Sequence, residues 1–279
     1  MSPDPTPHRP ARELPAPGLL LDLALDIARA AGSLLLQRPD DLGISTKSSP
    51  TDVVTAMDKA SEALVAERIR AARPDDGLLG EEGTDDPGTT GLRWVVDPLD
   101  GTVNYTYRLP FWAVSIGIEQ DGAAIAGVVH APVLGWTFTA TRGGGSYRNG
   151  ERLSGSAVTS LGQVLLATGF SYVSERRREQ GRWIAEVLPR VRDIRRHGSG
   201  ALDLCMSATG LVDAYVEQGL SPWDLSAGAL IAEEAGLTVT GLHGRPAGQD
   251  VVVSAPPAVH GELVALLEQV GAGGSGGTA

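Results

Sequence analysis

The feature that most constrains this chain is the run from Trp94 to Tyr105, which reads Trp-Val-Val-Asp-Pro-Leu-Asp-Gly-Thr-Val-Asn-Tyr. Three apolar residues, two of them β-branched and cut off by a proline, predict a short buried strand over residues 94–96. This strand would deliver Asp97 to its C-terminal end. Because the ring of Pro98 fixes its φ, the chain should turn at once and set Asp97 and Asp100 on the same side of a tight bend.

Two carboxylates that face one small volume require a cation between them. Two close anions repel each other, and without a positive charge one of them takes up a proton. A hard divalent ion that prefers oxygen ligands suits this position. Gly101 would let the backbone approach a ligand closely, and the amides of Gly101 and Thr102 would open a helical turn suited to a phosphate. The alternative is a strand followed by an ordinary Asp-Gly turn, but the whole unit from Asp97 to Thr102 favours a metal and anion site.

Further carboxylates follow the same pattern elsewhere in the chain. The stretch over residues 77–83 predicts another short apolar strand that ends in two acidic residues, Glu81 and Glu82. A solvated pair is the usual interpretation of two adjacent glutamates, but the repeated pattern of a strand end followed by a carboxylate favours a metal-binding role for Glu81. Asp58 falls at the start of a helix, and Asp52 is interpreted as a helix cap. Asp224 heads a later amphipathic helix, where it would be either a cap or a carboxylate that faces a metal.

Charge and cysteine usage exclude several classes of partner. The formal net charge of −11 argues against a nucleic-acid surface and against binding to an anionic membrane. The basic run Arg176-Arg177-Arg178 is interpreted as a solvated face or a contact with a partner subunit. Cys205 is the only cysteine, so no intramolecular disulfide can form and a reducing cytoplasm is predicted. No run of about 18 apolar residues is present to span a bilayer, and the N-terminus lacks the apolar stretch of a signal peptide.

A chain of 279 residues can form one large domain or two closely packed halves. The proline-rich start predicts disorder and the glycine-rich end a flexible tail. The predicted organisation is an N-terminal extension over 1–17, a folded domain over 18–270 with halves of about 18–160 and 161–270, and a tail over 271–279.

Four motifs together resemble the inositol monophosphatase family. They are residues 97–105, residues 223–228 continuing through 234–236, residues 47–50 with Asp58, and residues 80–82. The first two are long and stand in the right order and spacing, so the resemblance covers roughly residues 18–270. It implies an α/β fold, a layered α-β-α-β-α sandwich with mixed sheets, in a homodimer. It also implies magnesium-dependent, lithium-sensitive hydrolysis of a small phosphomonoester.

The resemblance implies a set of metal ligands. Glu81, Asp97 and the carbonyl of Leu99 match the ligands of a first magnesium ion. Asp97, Asp100 and Asp224 match those of a second ion. A more weakly held third ion is implied near Glu81, so that two to three Mg²⁺ are expected in each site.

The resemblance also implies catalytic and substrate-binding residues. Asp58 and Thr102 match the pair that activates a water molecule, with Glu81 as the third catalytic position. The positions implied to contact substrate are Asp100, Gly101, Thr102, Gly200, Glu217 and Asp224. Gly83 and Tyr105 depart from the commoner serine and phenylalanine of the family, but neither departure removes a ligand.

The expected substrate is a small phosphorylated polyol, with myo-inositol 1-phosphate favoured by Glu217 and by the close spacing of the second motif. Related phosphatases use the same scaffold for fructose 1,6-bisphosphate, 3′-phosphoadenosine 5′-phosphate or histidinol phosphate, and these substrates remain alternatives. A regulatory binding protein with residual activity is the alternative from another functional class.

Overall fold

The computed structural model describes residues 15–273, which form alternating layers of helices and two mixed sheets. The α-helices are α1 (Pro17–Leu36), α2 (Ala56–Ala72), α3 (Thr102–Thr106), α4 (Ser174–Val187), α5 (Gly200–Thr209), α6 (Pro222–Glu234) and α7 (Pro257–Gln269). The strands are β1 (Ser45–Thr46), β2 (Val53–Val54), β3 (Gly77–Gly80), β4 (Asp85–Asp86), β5 (Leu92–Asp100), β6 (Ala113–Gln120), β7 (Ala123–Ala131), β8 (Trp136–Thr141), β9 (Gly145–Arg148), β10 (Glu151–Arg152), β11 (Leu165–Thr168), β12 (Asp193–Arg195), β13 (Ala214–Glu217), β14 (Thr238–Thr240) and β15 (Val252–Ala255).

Each half of the chain builds one of the two large sheets. An eight-stranded sheet in the order β10-β9-β8-β7-β6-β5-β3-β4 uses strands of the first half only, and its one parallel pair is β3 with β5. A five-stranded sheet in the order β12-β11-β13-β15-β14 belongs to the second half, and it is parallel from β12 to β13 and antiparallel beyond. The sheets are therefore mixed, as predicted.

Three apolar clusters fill the spaces between the layers. The first joins α1 and α2 to one face of the large sheet, where Ile27 and Ile69 pack with Trp94. The second lies between the two sheets and contains α5 and α6. The third joins α4 and α7 to the outer face of the small sheet, and Trp183 and Leu263 belong to it. This order of layers confirms the predicted α-β-α-β-α sandwich.

The described region overlaps both predicted terminal segments. Helix α1 begins at Pro17, the last residue of the predicted extension, because proline is tolerated in the first turn of a helix. Ala272 in the predicted tail is buried, and its N–H donates to the carbonyl of Leu267 at 2.9 Å. The rest of the predicted extension and tail, residues 1–14 and 274–279, lies outside the described residues. Among the helices of the described region, none has the length and apolar content needed to cross a membrane.

Candidate active site

The parallel pairing of β3 and β5 brings two acidic residues to one edge of the large sheet. Gly80 pairs with Val96 in this register, so Glu81, which follows β3, and Asp97, which lies within β5, are side by side. The N–H of Glu81 donates to the carbonyl of Val96 at 3.2 Å. Two residues distant in the sequence thus reach the same place because each comes directly after the paired segment of two parallel strands.

The sequence predicted that this strand would end at residue 96. In the structure β5 continues to Asp100. Its pairing with β6 is irregular between Asp97 and Asp100, where Pro98 has no N–H to donate to the ladder. Within this bulge a carboxylate oxygen of Asp97 accepts the N–H of Leu99 at 3.0 Å. The bulge therefore does what the predicted turn would have done, since Asp97 and Asp100 face a common volume.

Asp224 joins these two aspartates from the second half of the chain. One carboxylate oxygen from each of Asp97, Asp100 and Asp224 lies within 4.8 Å of the others. Asp224 is the third residue of α6, and its carboxylate accepts the N–H of Ser221 at 2.6 Å. Asp224 thus takes part in the capping box of α6 and is at the same time a member of the cluster.

Asp100 is held by the N-terminus of α5. Its carboxylate accepts hydrogen bonds from the hydroxyl of Ser199 at 2.6 Å, the N–H of Ala201 at 2.8 Å and the N–H of Gly200 at 3.2 Å. Gly200 therefore touches the cluster through its amide. Sequence reasoning missed Ser199, although a serine directly before a helix is a recognisable N-cap position.

The electrostatics of the cluster favour a cation. Burial, and then the nearby charges of Glu81, Asp100 and Asp224, raise the pKa of Asp97 well above its usual range. Burial and the charge of Asp100 do the same to the pKa of Asp224. The donor set consists of carboxylate oxygens, which hard divalent cations prefer. The residues present therefore fit a divalent metal, because a cation among them would remove the repulsion that raises these pKa values.

Glu81 lies at the edge of the cluster and is paired with a lysine. Nζ of Lys47 donates to Oε1 of Glu81 at 2.8 Å and also binds the carboxylate of Glu82. Burial raises the pKa of Glu81, and the charge of Lys47 opposes this shift. A hydrogen bond with the carboxyl of Asp97 also opposes the rise in the pKa of Glu81. Glu81 is thus beside the three aspartates without being one of their close group.

Asp58 connects α2 to the other predicted catalytic residue. Its Oδ1 accepts the hydroxyl of Thr102 at 2.7 Å, and this hydroxyl also lies 3.0 Å from the carbonyl oxygen of Leu99. Its Oδ2 accepts the N–H of Thr55 at 2.8 Å and the Thr55 hydroxyl at 2.6 Å. Thr55 is the N-cap of α2, and Asp58 completes its capping box. The interpretation of Asp52 as a helix cap was wrong, because Thr55 caps α2 and Asp52 instead accepts the Ser48 hydroxyl in the preceding loop.

A cavity of about 530 Å³ opens over this arrangement. Every residue predicted for the site lines it except Asp58, which lies behind Thr102. Glu217 forms part of the wall and accepts the Tyr215 hydroxyl at 2.6 Å, while burial raises the pKa of its carboxyl to about 7. Arg176 also lines the cavity, so one member of the basic run has a place that the sequence did not predict. A larger concavity on α2, of about 890 Å³, contains none of the three aspartates.

Known proteins resemble this chain in sequence and in fold. The inositol monophosphatase family model matches residues 19–272. The inositol-1-monophosphatase SuhB of Mycobacterium tuberculosis is 44% identical over 239 residues, which are 82% of this chain and 82% of that protein. The Nus factor SuhB of Escherichia coli K12 is 38% identical over 259 residues, covering 90% and 97%. The crystal structure of the extragenic suppressor protein suhB from Bartonella henselae superposes with a TM-score of 0.85 at 32% identity, covering 90% of this chain and 99% of that one.

Proposed function

The chain belongs to the inositol monophosphatase family, and we propose that it hydrolyses a small phosphomonoester, with myo-inositol 1-phosphate as its substrate. One observation carries this proposal. Asp97, Asp100 and Asp224 line a cavity of about 530 Å³, and one carboxylate oxygen of each lies within 4.8 Å of the others. An acidic chain can hold a phosphate there only if bound cations reverse the local charge.

The proposed metal is Mg²⁺, in two to three ions. Glu81, Asp97 and the Leu99 carbonyl would hold one ion, and Asp97, Asp100 and Asp224 a second. A third would bind near Glu81. When bound, these ions would neutralise the phosphoryl and leaving oxygens and lower the pKa of a water molecule. The buried carboxylates with raised pKa values support this assignment.

Thr102 and Asp58 would handle the proton of the attacking water. The Thr102 hydroxyl donates to Asp58, so the oxygen of Thr102 keeps lone pairs that can accept a hydrogen bond from water. As the water oxygen bonds to phosphorus, the phosphorus–oxygen bond to the alcohol would break, and one proton of the water would pass to Thr102 while the proton of Thr102 moves to Asp58. The alkoxide would take a proton from solvent water and leave as the alcohol. The amides of Gly101 and Thr102, at the start of α3, would hold phosphoryl oxygens in place.

The remainder of the cavity suits a polyol. Glu217 can accept hydrogen bonds from substrate hydroxyls, and Tyr215 holds its carboxylate in one orientation. Gly200 stands at the start of α5 beside the cluster, where it would close over the sugar ring. These groups support a hydroxyl-rich substrate.

Phosphate release from a panel of substrates tests this proposal. The panel contains myo-inositol 1-phosphate, fructose 1,6-bisphosphate, 3′-phosphoadenosine 5′-phosphate and histidinol phosphate, each with magnesium and with chelator. We expect the highest kcat/KM for the inositol ester and no turnover with chelator. Turnover of another member alone would contradict the substrate, and turnover in chelator would contradict the metal mechanism.

A second candidate is a regulatory role through a binding partner. It is favoured by the relative at 38% identity that is named a Nus factor. A pull-down with wild type and with Asp97→Asn would separate the two functions, because a partner held by the surface would stay bound when turnover is lost. Homodimer formation, lithium sensitivity, a cytoplasmic location and the absence of nucleic-acid partners stay predictions from the sequence.

A further inference from the structure

Helix α2 touches the site at more than one point. Asp58 receives the Thr102 hydroxyl, and one turn later the hydroxyl of Ser61 donates to the carbonyl of Pro98 at 2.9 Å. Glu62 lies on the same face as Asp58, since residues four apart on a helix are neighbours. The helix therefore holds the bulge of β5 and the start of α3 through these two hydrogen bonds.

Glu62 braces a different segment, the loop that follows β3. Its Oε2 accepts the N–H of Glu82 at 2.7 Å, and its Oε1 accepts the N–H of Thr84 at 3.1 Å and the Thr84 hydroxyl at 2.7 Å. Glu62 is only 6% exposed. A buried carboxylate that accepts three hydrogen bonds from one loop fixes the path of that loop.

The loop leaves room for this carboxylate at Gly80. A Cβ at position 80 would lie 2.5 Å from the carboxyl group of Glu62, so a larger residue there would displace it. The N–H of Gly80 also donates to the carbonyl of Thr84 at 2.7 Å, which closes the loop on itself. The backbone N–H groups on both sides of Glu81, those of Gly80 and Glu82, are therefore fixed by hydrogen bonds.

We propose that Glu62 is a positioning residue, which holds the loop 81–84 so that Glu81 faces the aspartate cluster and binds a divalent cation. This inference rests on the proposed function. Glu62 itself does not line the 530 Å³ cavity, so its effect on the cation passes through the backbone of Glu82 and Thr84.

Two substitutions at position 62 test whether the charge of the Glu62 carboxylate and the length of its side chain are both needed. Glu62→Gln keeps the size but places an amide against the N–H of Glu82, and Glu62→Asp keeps the charge but shortens the reach. We expect both to weaken Mg²⁺ binding about tenfold, as for other residues that orient a metal ligand. Thr84→Val removes one hydrogen bond to the same carboxylate and should weaken binding by less. Glu67→Gln is the matched control, because Glu67 is an exposed glutamate on the same helix.

The measurement is isothermal titration calorimetry of Mg²⁺ into protein stripped with chelator, beside thermal unfolding of the stripped protein. Steady-state kinetics should show a raised magnesium activation constant, with the substrate KM unchanged at saturating magnesium. If the variants at position 62 do not fold, Thr84→Val carries the test. Normal Mg²⁺ binding by either Glu62→Gln or Glu62→Asp would overturn the inference. The proposed function would stand in that case if the wild type still turned over substrate. A wild-type chain that binds no Mg²⁺ would instead overturn the proposed function, and this role of Glu62 with it.

Discussion

The hydroxyl of Thr102 lies 2.7 Å from Oδ1 of Asp58, and this contact joins the first residue of α3 to the first turn of α2. The contact spans 44 positions in the sequence. The other oxygen of the same carboxylate is occupied by Thr55, so Asp58 cannot rotate freely. Thr102 therefore has a fixed acceptor for its proton.

Replacing Thr102 by valine should lower kcat about 100-fold or more, because valine has no hydroxyl to pass a proton. Thr102→Ser is the control, since it keeps the hydroxyl and should retain most of the activity. Steady-state kinetics at saturating magnesium measure both. Similar rates for the valine and serine variants would exclude a proton-handling role for this hydroxyl.

Asp97→Asn should abolish turnover, because it removes a carboxylate that both proposed metal sites share. The variant should also gain stability in chelator, since burial and three neighbouring carboxylates oppose the charge at this position. Phosphate release and unfolding in chelator test the two halves of this prediction. Near-normal magnesium-dependent activity in Asp97→Asn would reject the metal assignment.

Gly101→Ala should destabilise the protein by about 1–3 kcal/mol. Gly101 has a φ of +93°, which is costly for alanine, and an added Cβ would lie 2.8 Å from the carbonyl oxygen of Phe111. Gly122→Ala is a useful comparison, because it also has a positive φ but meets nothing within 4 Å. Denaturant unfolding should show a larger loss for Gly101→Ala, and an equal loss would show that the contact has no effect.

Ser199→Ala should weaken Mg²⁺ binding, because it removes one of the donors that hold the carboxylate of Asp100. The hydrogen bond involves a charged and buried acceptor, so its loss should also cost about 1.5–3 kcal/mol of stability. Calorimetric titration with Mg²⁺ and denaturant unfolding measure these effects. A variant that matches wild type in both would show that the two amides of α5 suffice to hold Asp100.

Glu217→Gln should alter how stability depends on pH in the presence of chelator. Burial raises the folded-state pKa of Glu217 from 4.5 to about 7, so folding favours the protonated carboxyl. The wild type therefore loses stability as the pH rises from about 4.5 through 7, and the glutamine variant lacks this loss. The melting temperature of the variant relative to wild type should rise between pH 5 and pH 8. Parallel profiles would contradict the raised pKa.

The sequence predicted the parts of the site that depend on local signals. A buried strand and the proline after it were sufficient to predict that Asp97 and Asp100 face one volume, and the repeated pattern of strand and carboxylate was sufficient to single out Glu81. The strand end at residue 96 was wrong because a proline can sit in a bulge as well as after a strand. Asp52 was misinterpreted because Thr55 and Asp58, three residues apart, form the capping pair of α2.

Long-range polar contacts could not be predicted from one sequence. The hydrogen bond from Ser199 to Asp100 joins positions 99 apart, and the bond from Lys47 to Glu81 joins positions 34 apart. Neither pair leaves a periodic signal in the chain, since each depends on how the layers pack. The same is true of Glu62, which reads as an ordinary helical glutamate until its loop partners are known.

The division of the aspartate cluster between the two halves of the chain has a consequence for the integrity of the site. Asp97 and Asp100 come from the large-sheet half, whereas Asp224 comes from the half that builds the small sheet. A gene fragment that encodes either half alone would carry an incomplete set of carboxylates. A site that uses all three carboxylates would therefore need both halves folded together in one chain.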